Sequence, residues 1–324
     1  MIKEISQIQI NDTPKGTIKE YWLHLINNGI GEPIRLPIMV ARGKGDGPVL
    51  GLTAAIHGDE LNGIPIIQQL FKELDINKLN GTVIGCLATN VPGVLLDQRK
   101  FNDGVDLNRI APGKANGDMS QIFIARIIDR LLSTFEYHID LHTASFGRIN
   151  SYYIRADVSN DIAFKMAQLQ DPDIILNNPA HDGTFRAAAT GMGIHSITLE
   201  LKDPNLFQID VIAEALQGMR NVMYDLEMME GQAIYPIKKT FLCDSSYWIY
   251  TDEGGILKVY PEVKQLIQKG DKIAEVQTVF GKVDKEYFAP EDGIVIGKSV
   301  NPINQTGSRI LHLGINPKEL RSLL

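Results

Sequence analysis

Between residues 48 and 228, apolar runs of strand length alternate with stretches of helical spacing, and that alternation leaves few folds open. "PVLGLTAAI" (48–56) reads as a buried strand and "GIPIIQQLFKEL" (63–74) as an amphipathic helix. "GTVIGCLATN" (81–90) is another strand, and "SQIFIARIIDRLLSTF" (120–135) is a helix with Ser120 as its expected N-cap. "YHIDLHT" (137–143) alternates as a strand does, "DIAFKMAQLQ" (161–170) is helical, and "HSITLELK" (195–202) is a strand. "QIDVIAEALQGMRNVMYDLEM" (208–228) is a long helix. Strand–helix repetition of this kind predicts an α/β fold, with a mostly parallel or mixed central sheet covered by helices on both faces.

The pattern differs at the two ends. Residues 15–43 read as antiparallel strands, an edge meander on that sheet. After about residue 232 the strand-like runs are broken by Gly, Pro and Asp, and helical spacing is scarce. The expected organisation is a catalytic domain over 1–234 and a small all-β appendage over 235–324. At 324 residues the chain can bury a large core. Its net charge of -7, without any basic stripe, argues against a nucleic-acid surface. No apolar run approaches the ~18 residues of a membrane span. The start lacks the basic and apolar regions of a secretory signal. Cys86 and Cys243 are too few and too far apart for a disulfide framework, and Cys86 reads as a packing residue. A cytoplasmic protein with no membrane partner is the expectation.

Polar groups recur at the C-terminal ends of the expected strands, which is where open parallel sheets form ligand crevices. "HGDE" places His57 and Glu60 after the first strand; "DGVDLNR" (103–109) follows the second; "DLHT" (140–143) closes the third; Glu200 lies near the end of "ITLEL". Two imidazoles and a carboxylate, His57, Glu60 and His142, make the ligand set of a catalytic zinc with one position open. Glu200 is then the carboxylate available as general base. Arg99 could support a developing oxyanion, and Asn108 with Arg109 could form a fork for a substrate carboxylate. Each group alone has a plainer reading: a polar loop, a strand-end histidine, a solvated carboxylate, a capped turn. His138 shares strand parity with His142, so either could face the site. Asp140 is either an orienter of a ligand imidazole or a sheet-edge residue.

"HGDE", "DLNR", "DLHT" and "ITLEL", in that order and at these separations, resemble the succinylglutamate desuccinylase/aspartoacylase family of the zinc carboxypeptidase superfamily. The resemblance covers about residues 45–230 and continues into the appendage. "RKFNDGVDLNRIAPG" is most similar to bacterial N-acyl-diamino-acid deacylase-like members, although Arg99 lies nine residues before Asn108, a longer interval than in aspartoacylase itself. The resemblance implies a zinc carboxypeptidase-like fold and one zinc ion per chain, on His57, Glu60 and His142. It makes Glu200 the general base that activates the water on zinc, and Arg99 the oxyanion stabiliser. Asn108 and Arg109 become the holders of the α-carboxylate, and Arg186 in "GTFRAAA" a further substrate contact. The appendage is similar to a biotinyl/lipoyl-type barrel without the lysine of a carrier, and is expected to wall the cleft or to mediate a homo-oligomer. The function implied is deacylation of a small N-acyl amino acid, acetyl or succinyl. The alternatives are a metallocarboxypeptidase acting on peptides and a non-catalytic metal-binding protein.

Overall fold

The computed structural model describes residues 2–180, 183–235 and 238–320. The catalytic half contains β1 (Lys3–Ile5), β2 (Thr17–Asn27), β3 (Pro33–Arg42), β4 (Gly45–Ala54), α1 (Gly63–Glu73), β5 (Asn80–Cys86), α2 (Val91–Leu95) and α3 (Met119–Arg130). It continues with β6 (Tyr137–His142), β7 (Arg148–Asn150), β8 (Tyr152–Ala156), α4 (Asp161–Leu169), β9 (Ile174–Asn177), α5 (Phe185–Gly191), β10 (His195–Leu201) and α6 (Ile209–Asp225). Then come β11 (Thr240–Cys243), β12 (Ser245–Tyr250), β13 (Gly255–Val259), β14 (Leu266–Ile267), β15 (Lys272–Gln277) and β16 (Val283–Phe288). The last elements are β17 (Gly293–Ser299), β18 (Ile303–Asn304), β19 (Arg309–Ile315) and β20 (Lys318–Leu320).

One sheet runs through the molecule in the order β1-β2-β3-β5-β4-β6-β10-β8-β9-β11-β20. Its centre, β5-β4-β6-β10, is parallel, while β3 and β8 join antiparallel on either side. The sheet is therefore mixed, and the meander expected near the N-terminus is the β2–β3 pair. Alternation along the central strands divides the core in two. Leu50, Leu52, Ile139, Leu141, Ile197 and Leu199 face α1, α4 and α6. The other face packs Ile84 and Cys86 against Phe123 and Ile127 of α3 and Phe185 of α5. Cys86 is a buried free thiol, as its apolar run suggested. Among the described residues no helix is long and apolar enough to cross a membrane.

Two expectations need adjustment. Ser120 does not cap α3. Asp118, in extended backbone, accepts from the Gln121 amide at 3.0 Å, and Ser120 lies inside the first turn with its hydroxyl on Asp103. The capping carboxylate lies two residues upstream of the apolar pattern, outside the stretch that pattern marks. The appendage is also less separate than 235–324 implies. Its first and last strands, β11 and β20, extend the central sheet beside β9, and only the strands between them form the two small sheets β12-β19-β17-β14 and β16-β15-β13-β18. Residues 321–324, at the end of the expected appendage, lie outside the described residues.

Candidate active site

Strand register assembles the site. β4, β6, β10 and β8 are neighbours, and residues on one face come together in rows. Thr53, Asp140, Thr198 and Arg155 form one row; His142, Glu200 and Tyr153 form the next, at the C-terminal ends of β6 and β10. Glu200 is thus opposite His142 by register alone. The turn from β4 to α1 supplies His57 and Glu60. Ala55 leaves the strand with φ 53°, and Glu60 donates its amide to His57 O at 3.1 Å. Gly58 is required in this turn because a Cβ there would collide with the backbone of Gly93.

His57, Glu60 and His142 are all buried, and their ligand atoms lie within 4.8 Å of one another. His57 Nδ1 is 2.9 Å from Glu60 Oε1, yet makes no hydrogen bond. Two such atoms close together but not aimed at each other suit a shared third body, since atoms ~2.0–2.2 Å from one ion lie roughly 3–3.5 Å apart. The outer ring nitrogens fix the tautomers. His57 Nε2 meets Asp106 Oδ1 at 3.1 Å, and His142 Nε2 meets Asp140 Oδ2 at 2.8 Å. A carboxylate only accepts, so both Nε2 atoms carry a proton; both Nδ1 atoms turn inward, that of His142 lying 2.8 Å from Glu60 Oε2, where an ion would take the place of its second proton. The chain's donor set therefore fits a divalent ion such as zinc.

A polar chain extends inward from Asp140. The Thr53 hydroxyl donates to Asp140 Oδ1 at 2.6 Å, so its oxygen accepts from His138 Nε2 at 2.8 Å; His138 Nδ1 in turn accepts from Ser196 Oγ at 2.8 Å. His138, of the same parity as His142, is thus a neutral core residue, and burial pushes its pKa down to about 4. Burial alone would also disfavour the charged form of His142, but Asp140 and then Glu60 outweigh it and hold its pKa well above the ordinary value. Glu60 is raised by burial and lowered more by His57 and His142, ending well below the usual carboxylate range.

Around this centre lies a cavity of about 340 Å³. Glu200 lines it, its Oε1 accepting from Arg155 Nε at 3.2 Å and its Oε2 from Asn150 Nδ2 at 3.4 Å. Arg99 reaches Glu60 Oε1 at 3.0 Å, Asp106 Oδ2 through two nitrogens, and Ser145. Asn108 accepts from the Phe185 amide at 2.7 Å, and Arg109 donates to Asn108 O at 3.0 Å while otherwise exposed to the cavity. Arg186 is buried and donates to Asn178 Oδ1 at 2.7 Å. All eight residues singled out in the sequence line this one cavity. The partners Asp106, Asn150 and Arg155 were not foreseen. Asp106 is the first letter of "DLNR" and could have been found there; Asn150 and Arg155 belong to strands that the pattern does not mark.

Residues 46–226 match the succinylglutamate desuccinylase/aspartoacylase catalytic domain. The chain is 23% identical over 278 residues to the N-alpha-acetyl-L-2,4-diaminobutyric acid deacetylase of Halomonas elongata, covering 82% of this chain and 81% of the relative. The fold is that of the product-bound ectoine utilization protein EutE (DoeB) from Ruegeria pomeroyi, with a TM-score of 0.84 at 20% identity over 93% of this chain and 95% of that one. A succinylglutamate desuccinylase/aspartoacylase from Rhodobacter sphaeroides gives the same TM-score at 20% identity, over 97% of this chain and 98% of that one. With the matched domain spanning more than half its length, the chain belongs to the succinylglutamate desuccinylase/aspartoacylase family.

Proposed function

We propose that the protein is a metal-dependent amidohydrolase that removes the acyl group from a small N-acyl amino acid. The observation that carries this reading is Glu200 set beside His142 on the neighbouring strand at the cavity wall, a carboxylate outside the three-residue ligand set. A structural zinc site uses four protein ligands and has no need of an extra base. His57, Glu60 and His142 would hold one zinc ion, which supplies Lewis acidity and lowers the pKa of water. Glu200 takes the proton of the attacking water and passes it to the amine as the C–N bond breaks. Asn150 and Arg155 hold its two oxygens in place for both transfers. Arg99, beside Glu60, supports negative charge on the scissile carbonyl. The Arg109 guanidinium, without a carboxylate partner among the described residues, takes the α-carboxylate, and the Asn108 side chain, bonded to the Phe185 amide, fixes the turn that carries it.

The named activity of the Halomonas relative supports deacylation. The limited volume of the cavity, about 340 Å³ and walled in part by Trp248 and Arg309 of the appendage, favours a small substrate over a peptide. The test is a panel of N-acetyl and N-succinyl amino acids, their primary amides, and short peptides, with added zinc. Free acids should exceed their amides in kcat/KM by roughly ten- to a hundredfold, since a charge-assisted hydrogen bond contributes ~1.5–3 kcal/mol. Arg109→Ala should erase that preference, and Glu200→Gln should keep its metal while losing ~10²–10⁴-fold in kcat. Cleavage of peptides alone would replace this reading with a carboxypeptidase.

A further inference from the structure

Asp59 lies between His57 and Glu60 in the turn after β4, and the mechanism above makes no use of it. Its side chain is buried, and only one of its oxygens has a partner among the described residues. That oxygen, Oδ2, accepts from the Phe146 amide at 3.1 Å, in the loop that follows β6. The same loop carries Ser145, which is also buried. Ser145 Oγ donates to Glu60 Oε1 at 2.8 Å and accepts from Arg99 Nη1. Two positions earlier, the Thr143 amide donates to Glu60 Oε2 at 3.2 Å. Each oxygen of the Glu60 carboxylate thus receives a hydrogen bond from this one loop.

The loop is fastened by its backbone. Phe146 is exposed, so no buried apolar side chain holds the segment next to Ser145. On one side of Ser145 the Ala144 amide donates to Lys202 O at 2.8 Å; on the other, Asp59 takes the Phe146 amide. Further on, Gly147 O accepts from the amides of Val300 and Asn301 in the appendage. The direction of the serine bond is determined as well. A hydroxyl has one proton, and with Arg99 donating to its oxygen, Ser145 gives that proton to Glu60. Arg99 Nη1 also reaches Glu60 Oε1, at 3.0 Å, while Asp106 holds the guanidinium through Nε and Nη2. The Glu60 oxygen is therefore drawn towards Arg99 and Ser145 together. A ligating carboxylate depends on such outer bonds for its orientation, and their loss typically costs ~10–100-fold in metal affinity.

We propose that Asp59 and Ser145 are positioning residues for Glu60: Asp59 anchors the loop at Phe146, and the anchored loop sets the Ser145 hydroxyl on the carboxylate that faces the ion. This rests on the metal-dependent reading above and adds two residues to it, neither of which ligates the ion. Asp59 acts through an acceptor oxygen and not through its charge, because a backbone amide is its side-chain partner. It also acts through Ser145 and not through Thr143, which lies beyond the separate anchor at Ala144.

The experiment measures zinc affinity by competition with a chromogenic chelator, with circular dichroism to check folding. It uses wild type, Ser145→Ala, Asp59→Ala, Asp59→Asn and the double variant Asp59→Ala/Ser145→Ala. Ser145→Ala should lower the affinity by ~10–100-fold, and Asp59→Ala by a similar factor. Asp59→Asn should stay within about threefold of wild type, because the amide oxygen can still accept from Phe146. The double variant should bind within about threefold of Ser145→Ala, since a hydroxyl already removed cannot be misplaced. Wild-type affinity in Ser145→Ala overturns the proposal. So does Asp59→Asn as weak as Asp59→Ala, which would assign the effect to charge. So do losses that multiply in the double variant, which would mean that Asp59 acts by another route. Should Asp59→Ala fail to fold, Ser145→Ala and Asp59→Asn decide between the same outcomes. A wild type that binds no divalent ion overturns the functional reading and the proposal together; zinc held equally by wild type and all variants overturns the proposal alone.

Discussion

Asp140 shows how far one side chain's bonding can determine the chemistry of another. It accepts from Thr53 on one oxygen and from His142 on the other, and both donors depend on its being acceptor-only. Asp140→Asn keeps the shape but presents one acceptor and one donor. With Thr53 still donating to the amide oxygen, the amide NH₂ faces His142 Nε2, and that nitrogen must then accept. The imidazole proton moves to Nδ1, the atom that has to face the ion. The expected outcome is a ~10–100-fold loss of zinc affinity, measured by competition with a chromogenic chelator, with little change in circular dichroism. Unchanged affinity would show that the tautomer is set elsewhere. The sequence offered Asp140 only as one of two readings, because strand parity places it on the same face as His142 but does not say what it touches.

At the scale of elements, the proposed His57–Glu60–His142 ligand set can be read from the sequence more easily than the residues around it, for a physical reason. His57 and Glu60 are three residues apart in one turn, and His142 closes an alternating strand, so their chemistry is local. Asn150, Tyr153 and Arg155 belong to β7 and β8, which are three and five residues long and too short for a pattern to stand out; β9 and α5 were invisible for the same reason. Register between strands leaves no trace in the composition of either strand, yet it makes the rows that cross β4, β6 and β10. The row partner of Ser196 is His138, and that buried pair has a measurable consequence. The folded-state pKa of His138, at about 4, is below its ordinary value of 6.5. Between those pH values the unfolded chain binds the proton and the folded chain does not, so stability falls as pH drops from about 6.5 to about 4. The full effect is on the order of 3 kcal/mol at ~1.4 kcal/mol per unit. Urea titrations at pH 7 and pH 5 should show wild type losing stability over this interval. His138→Gln, less stable at pH 7, should lose distinctly less. Equal losses would assign the acid sensitivity to other groups.

On the scale of the whole molecule, the appendage reaches the candidate site, and one route runs through a glycine. β17 pairs with β7, setting Gly297 beside Asn150, whose amide reaches Glu200. A Cβ on Gly297 would collide with Asn150 Oδ1 and lie 2.9 Å from Ile149 O. The bare backbone at 297 is thus what lets β7 approach closely enough for Asn150 to reach Glu200, the proposed general base. The sequence identified this region as strand-rich and suited to walling the cleft, but a contact between residues 147 positions apart follows from tertiary placement alone. Gly297→Ala, remote from the ligands in sequence and not among the residues lining the cavity, should lower kcat by roughly ten- to a hundredfold. Displacing a catalytic group by about an ångström is enough for that. Zinc content should not change, because His57, Glu60 and His142 take no support from β17. A double-mutant cycle separates this effect from general loosening. If the added methyl acts by moving Asn150, then Gly297→Ala should cost less in an Asn150→Ala background than in wild type, since part of the clash and the whole Glu200 contact are already gone. Strictly additive losses would mean that the glycine acts on the site by some route other than Asn150.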